Sequence, residues 1–236
     1  MSLGGLARVD GSARFSFGTS TAALTSVSGP IEVRLATENP SQATFDVSIR
    51  PLSSIPGIES KSLASMIRLA LLPSLILTTN PRSLVQIVVQ ALAPSYDTSS
   101  KWDSGLVAAM INASTMALLN AGSIPMRGVV CAVAVARVGN ALLVDPSPEE
   151  MAKVDGSGSG CFAFMFGHSV GRTPNEPDFT CVWSNWRGNN GRDEDVIAAR
   201  DLAKGSARQV LEAIKASVGE GFKATQDEEN QQLGAS

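Results

Sequence analysis

A cluster of carboxylates follows an apolar run near the middle of the chain, in the segment LLVDPSPEEMAKVD at 142–155. Its acidic residues are Asp145, Glu149, Glu150 and Asp155. Carboxylates grouped after a strand can act as general acids or bases, or can hold a divalent metal ion. The same pattern also describes a strand followed by a solvated acidic turn, which is the more common structure. The choice between these two interpretations decides whether the chain is an enzyme.

Few other residues could do chemistry. The three cysteines, Cys131, Cys161 and Cys181, are an odd number and lie far apart, and the single histidine, His168, has no second ligand candidate beside it. We therefore expect neither a zinc site nor a disulfide scaffold, and no bound metal or cofactor. With one histidine, any catalysis would rest on carboxylates, lysine or a cofactor.

Composition limits the possible partners. The chain has 236 residues, of which 44% are hydrophobic, enough for one large domain or two small ones. A net charge of -3 excludes a broad basic surface, so any contact with RNA must be local. The N-terminus lacks the apolar core of a signal peptide, and the most apolar stretch, 62–77, is interrupted by Arg68 and Pro73. We expect an intracellular chain with no membrane partner.

The pattern of apolar residues predicts an α+β fold. Short β-rich runs at 12–17, 20–29, 31–37 and 43–51 suggest an antiparallel meander. A helix is then predicted from about 60 to 77, bent or ended near Pro73. A strand follows at 84–92, and we expect it to be buried on both faces.

The second half of the chain alternates in the same way. A helix capped by Asp103 or Ser104 should end at Gly122. Strands are predicted at 128–138 and 141–145, joined by a hairpin turn at 139–140, and again at 161–166 and 179–186. A last helix is predicted from about 193 to 218, with one apolar face formed by Val196, Ala199, Ala203, Ala207, Val210, Ile214 and Val218.

Several segments resemble the RNase PH family, which includes the subunits of exosome rings. They are ARVDGSARFSFGTSTAALTSVSGPIEV, VSIRP followed by SIPGIESKSLASMIR, and INASTMALLNAGSIPMRG. The resemblance spans about 6 to 166. It implies a single α+β domain with a βαβα core, similar to ribosomal protein S5 domain 2, and a long C-terminal helix. The domain would cover 1–224, with an insertion at about 167–191 and a disordered polar tail at 225–236.

The resemblance also implies a chemistry. Active members of the family are phosphorolytic: inorganic phosphate attacks the terminal phosphodiester of an RNA 3′ end. The family's carboxylate pattern, placed on Asp145, puts Glu149 and Asp155 at the catalytic positions. The Gly-Thr-Arg turn that holds phosphate reads Ser104-Gly105-Leu106 in this chain, and a second family arginine is missing near Ser62. We therefore predict that Glu149, Asp155 and Leu106 mark a vestigial, inactive site.

The function implied is that of a non-catalytic structural subunit of the exosome ring in 3′-to-5′ RNA processing and degradation. The implied partners are the other ring subunits, S1/KH cap subunits, RNA and a separate hydrolytic nuclease, and the implied locations are nucleus, nucleolus and cytoplasm. Arg50, Lys61 and Lys101 are the candidate RNA contacts, since they would lie beside the loops lining the channel.

Two other functions stay open. The chain could be an active phosphate-dependent 3′ exoribonuclease in which Lys101, five residues from Leu106, replaces the lost arginine. It could also be a cytosolic α+β domain that binds a small molecule. Two groups of residues are interpreted structurally: Trp102, Trp183 and Trp186 as core or subunit interface, and a basic stripe on the last helix as a solvated face.

Overall fold

The computed structural model describes residues 1–18, 21–52, 55, 57–94, 103–139, 141–151, 153–154, 158–167, 179–188 and 193–234, with the backbone alone for 193 and 222–234. The strands are β1 (Ser2–Leu3), β2 (Gly11–Phe17), β3 (Thr21–Glu32), β4 (Thr44–Arg50), β5 (Ser83–Ala91), β6 (Gly128–Val138), β7 (Ala141–Val144), β8 (Ser159–Gly167) and β9 (Phe179–Arg187). The helices are α1 (Ile58–Leu71), α2 (Ser104–Ala121), α3 (Pro148–Met151) and α4 (Asp193–Gly234). Short 3-10 turns lie at Leu35–Thr37, Leu72–Ser74 and Leu77–Thr79.

The strands form two sheets. One has the order β1-β2-β3-β5-β4 and the other the order β7-β6-β8-β9. The expected antiparallel pairing is correct for β2 and β3, which β1 extends at the edge, and wrong for β4, which pairs with β5 in parallel. The reason is the crossover through α1, which brings the chain back in the same direction and places β5 between β3 and β4. The run at 31–37 ends β3 and forms a 3-10 turn in place of a further strand.

Helix α2 is the centre of the fold. It packs against β2 and β3 of one sheet and β6 of the other, and every residue from Gly105 to Leu118 is buried. The predicted bounds are confirmed, since Asp103 is the N-cap and Gly122 is the left-handed C-cap with φ 62°. The helix is long and apolar enough to cross a membrane, but 78% of it is buried inside the fold, as in a core helix.

Two polar side chains of α2 complete the edge of β6. Strand β7 pairs only with residues 135–138 of β6, so the preceding residues lack a strand neighbour on that side. Asn112 fills this gap, because its amide donates to the Ala132 carbonyl at 2.8 Å and accepts from the Ala132 N–H at 2.7 Å. The Thr115 hydroxyl donates to the Val130 carbonyl at 2.8 Å. Backbone groups that would otherwise be buried and unpaired are thereby satisfied.

The remaining elements cover this core. On α4, the predicted apolar face is confirmed over its central part, where Ala199, Ala203, Ala207, Val210 and Ile214 are buried. The helix continues through 225–234, where we expected a disordered tail. The physical reason is composition, since this segment is rich in Gln and Glu, which favour helix, and contains no proline.

Two further expectations differ from the structure. Strand β5 is buried on one face only, with Val85, Ile87, Val89 and Ala91 buried and the residues between them half-buried. The other face is left without a covering layer because both helices of this sheet lie on one side of it. The expected insertion at 167–191 contains β9, which pairs with β8 and belongs to the second sheet.

Candidate functional site at the start of helix α2

The N-terminus of α2 lies at an edge where several elements end. Strands β4 and β5 are parallel and each is followed by a helix, so both strands end, and α1 and α2 begin, at the same edge of the sheet. Open sheets of parallel strands bind ligands at this edge. Arg50, the last residue of β4, and Lys61, in the first turn of α1, are both exposed there.

Asp103 closes the first turn of α2. Its Oδ1 accepts a hydrogen bond from the Gly105 N–H at 3.1 Å, and its side chain is buried with 5% exposure. Gly105 also lies beside Thr21, since a Cβ on this glycine would be 3.7 Å from the Thr21 hydroxyl oxygen. The capping carboxylate therefore already occupies the amide that an anion would use at this helix end.

Leu106 is part of the hydrophobic core. Its side chain is 1% exposed. The side chain predicted to mark a vestigial phosphate site is therefore enclosed by the core. Ser62, near the second expected arginine, is exposed on α1 and uncharged.

Asp145 is the carboxylate that comes close to this helix end. It follows β7 with φ 51°, and its N–H donates to the Ala134 carbonyl at 2.9 Å. Burial, and after it the negative charges of Asp103 and Glu150, raise the pKa of Asp145 to about 6. A carboxyl with this pKa is mostly ionised at neutral pH, so the helix start carries two close negative groups.

Glu150 has a structural role in α3. Its Oε2 accepts from the Ser147 N–H at 2.8 Å and from the Ser147 hydroxyl at 2.9 Å, and the two hydrogen bonds lower the pKa of Glu150. The Ser147 hydroxyl in turn accepts from the Glu150 N–H at 3.4 Å. With Pro148 at the first helical position, this is a capping box. Glu149, predicted at a catalytic position, is exposed beside it.

Several predicted residues lie outside the part of the chain that the structure describes: Lys101, Trp102, Asp155 and His168. The two other tryptophans are half-buried and pack against the core, Trp186 with its ring 6.1 Å from that of Phe162. This agrees with the interpretation of Trp183 and Trp186 as core residues.

The remaining hydroxyl and thiol groups offer little reactivity. The Ser104 hydroxyl is shielded from solvent and has no hydrogen-bond partner among the described residues. Burial raises the pKa of Cys131 to about 12 and raises the pKa of Cys161 as well, so neither thiol ionises at neutral pH. Within the described ranges, no three His, Cys, Asp or Glu side chains are placed to hold a metal ion.

Sequence reasoning identified Asp103 as a cap but missed its proximity to Asp145. No local pattern indicates that proximity, because the two residues are 42 positions apart in the chain and three elements, α2, β6 and β7, lie between them. The capping box was detectable, since Ser-x-x-Glu with proline at its second position is its usual sequence.

Comparisons with known proteins identify relatives of this chain. The profile of the family described as 3′ exoribonuclease family, domain 1 (RNase PH) matches residues 1–123. The exosome complex component rrp46 of Schizosaccharomyces pombe is 32% identical over 131 residues, which is 56% of this chain and 54% of that protein. The human exosome complex component RRP41 is 34% identical over 161 residues, 64% of this chain and 62% of that protein. The chain thus spans between about half and two thirds of the length of these relatives. A crystal structure of rice Rrp46 has the same fold, with a TM-score of 0.76 at 21% identity, and 92% of each chain is covered.

Proposed function

We propose that this chain, which belongs to the RNase PH family of 3′ exoribonucleases, is a non-catalytic structural subunit of an exosome-type ring. Its proposed role is to help form the channel through which RNA passes during 3′-to-5′ processing and degradation. The relatives named above are exosome complex components, and the fold is shared with rice Rrp46 over nearly the whole chain.

The observation that carries the non-catalytic assignment is the pair of carboxylates at the start of α2. A phosphorolytic site has to bind a phosphate dianion, and a helix N-terminus favours an anion by only about 0.3–1 kcal/mol. The negative charges of Asp103 and Asp145 at this helix start would repel a second anion, and so oppose the gain from the helix dipole. Leu106, which is buried, supplies no compensating cation.

The loss in rate would be large. An arginine makes charge-assisted hydrogen bonds worth about 1.5–3 kcal/mol each. Losing two arginines, each able to make two such bonds, costs roughly three or more orders of magnitude in rate. The exposed Glu149 cannot offset an attacking phosphate that is not bound.

The proposed partners are other RNase PH-like ring subunits, S1/KH cap subunits, RNA and a separate hydrolytic nuclease. Arg50 and Lys61 support the RNA contact, because both are exposed at the edge where α1 and α2 begin. They would contact phosphates without reading bases. The proposed locations are nucleus, nucleolus and cytoplasm, where such a complex would meet its RNA substrates.

Affinity capture of the tagged chain under mild salt tests the assembly directly. Co-purification of five related subunits in equal amounts is the expected result. A chain that stays monomeric when mixed with those subunits would contradict the proposal and would favour a domain that binds a small molecule.

One observation favours a second candidate, an active phosphate-dependent exoribonuclease. The Ser104 hydroxyl, unpartnered among the described residues at the start of α2, could donate to a phosphate oxygen. If so, the chain would release nucleoside diphosphates from single-stranded RNA in a phosphate-dependent way, and Ser104→Ala would reduce the rate. No release by the wild-type chain would exclude this candidate.

A further inference from the structure

Three basic side chains lie one turn apart on the same flank of α4: Arg200, Lys204 and Arg208. Residues four apart on a helix are separated by about 6 Å along the axis and point to nearly the same side. Arg200 and Arg208 are exposed and Lys204 is half-buried. The stripe runs beside the buried apolar face of the helix, on the side toward β9.

An aromatic ring on β9 orders this stripe. The Lys204 Nζ lies 4.0 Å from the centroid of the Phe179 ring, and the Arg208 Cζ lies 5.5 Å from it. Phe179 is itself held by two core rings, Phe164 and Phe166, at centroid distances of 6.5 and 6.4 Å. The two cations therefore stand in defined positions, unlike the mobile side chains of an ordinary solvated face.

The charge of this stripe is not neutralised by neighbouring acids. Among the described residues, none of the three cations forms a salt bridge. Of the nearby acids, Asp195 pairs with Arg137 and Glu212 pairs with Lys215 at 2.8 Å, while Asp201, three residues before Lys204, is exposed and forms no salt bridge with another described residue. A chain of net charge -3 thus places on this flank three positive charges that form no salt bridge with the described residues.

We propose that this surface, the α4 basic face formed by Arg200, Lys204, Arg208 and Phe179, binds the phosphate backbone of single-stranded RNA. Regularly spaced cations match a polymer with one negative charge per nucleotide, and an aromatic ring beside them is typical of single-strand binding without base specificity. The α4 basic face is separate from the edge at the start of α2 that holds Arg50 and Lys61. The choice of RNA as the polyanion rests on the proposed function.

Binding of a fluorescent 20-nucleotide oligouridylate to the full chain, measured by anisotropy over a series of salt concentrations, tests the proposal. The variant R200Q/K204Q/R208Q removes the three cations. The matched control R14Q/R34Q/K153Q removes three exposed cations from other surfaces. Three lost phosphate contacts should flatten the slope of log K against log salt by about 2, and weaken binding by about tenfold or more at low salt. Phe179→Leu should lower affinity less, since it removes only the ordering of Lys204 and Arg208.

The possible results distinguish RNA binding by the α4 basic face from binding of an acidic protein segment. An unchanged affinity and slope in R200Q/K204Q/R208Q, or an equal loss in the control variant, would overturn the proposal. Binding of fluorescent poly-glutamate to this face at concentrations where oligouridylate does not bind would also overturn it, and would assign the face to an acidic protein segment. Capture of ring subunits by the R200Q/K204Q/R208Q variant separates this proposal from the proposed ring function. We expect this variant to assemble with ring subunits and to lose RNA binding. Failure of assembly by the wild-type chain would count against the ring function alone.

Discussion

The carboxyl groups of Asp103 and Asp145 lie close enough, across α2 and the end of β7, for the charge of one to raise the pKa of the other. Asp103 is held in place by the hydrogen bond that its Oδ1 accepts from the Gly105 N–H at 3.1 Å. The start of α2 therefore carries two acidic side chains that influence each other.

Asp145→Asn should stabilise the protein at neutral pH. Burial and two neighbouring carboxylates raise the pKa of Asp145 from 3.8 to about 6, so the folded state binds a proton more tightly than the unfolded state. The stabilisation from protonated Asp145 is complete below pH about 4 and is lost as the pH rises through about 6. Removing the charge should add about 1 kcal/mol at pH 7.5 after solvent screening. Asparagine also tolerates the positive φ of this position.

Urea unfolding at several pH values measures this effect. The wild-type protein should lose stability between pH 4 and 6, the window set by that pKa shift, by more than the Asp145→Asn variant does. The control is Asp46→Asn, at an exposed position on β4, which should keep the wild-type pH dependence. Identical pH profiles for the wild type and Asp145→Asn would contradict the assigned pair.

Asn112→Leu should destabilise the fold. The substitution leaves the Ala132 N–H and carbonyl buried without partners, and each unsatisfied group costs about 1–3 kcal/mol. Thr115→Val removes one hydroxyl donor at similar volume and should cost less. Urea denaturation gives both values. A leucine variant as stable as the wild type would show that α2 does not complete the edge of β6.

Ser147→Ala should loosen α3 without affecting the rest of the fold. The hydroxyl and Glu150 form a capping box, and loss of such a cap costs about 1 kcal/mol. Hydrogen exchange at the Met151 amide, which donates to the Ser147 carbonyl at 2.8 Å, should become faster. Glu149→Ala, at an exposed side chain in the same turn, should leave this exchange rate unchanged. Equal protection in all three proteins would argue against the capping box.

Leu106→Arg should not restore a phosphate site. The side chain is 1% exposed, so arginine would bury an unpaired charge at a cost of about 3 kcal/mol or more. Leu106→Met keeps the volume and should cost less than about 1.5 kcal/mol. Thermal unfolding and calorimetric titration with phosphate provide the test. An arginine variant with wild-type stability that binds phosphate would show that this position faces the ligand site.

Sequence reasoning predicted the local elements better than their arrangement. The caps of α2, the strand runs and the apolar face of α4 were predictable because each depends on residues within a few turns of one another. The position of β5 between β3 and β4 depends on long-range pairing, which no local pattern specifies. The burial of Leu106 depends on how two sheets enclose α2, so alignment with a family motif could not show that its side chain faces the core.

In the candidate site, too, the features that depend on neighbouring residues were predictable, and those that depend on the tertiary fold were not. The acidic segment after β7 was predicted to hold the site through Glu149 and Asp155, whereas in the structure Asp145 is the carboxylate whose pKa is influenced by Asp103 at the start of α2, and its backbone is left-handed. Glu150 belongs to a cap, and Glu149 is exposed. Proximity between distant segments is a property of the tertiary fold, so it becomes visible only in the structure.

The most direct test of the central claim is the phosphate-dependent release of nucleoside diphosphates from single-stranded RNA, measured for the isolated chain and for the reconstituted ring. We predict no release by the chain alone, and no change in the ring's activity when Glu149 and Asp155 are both replaced by alanine. Robust phosphate-dependent turnover by the isolated chain, abolished by that double substitution, would contradict the account.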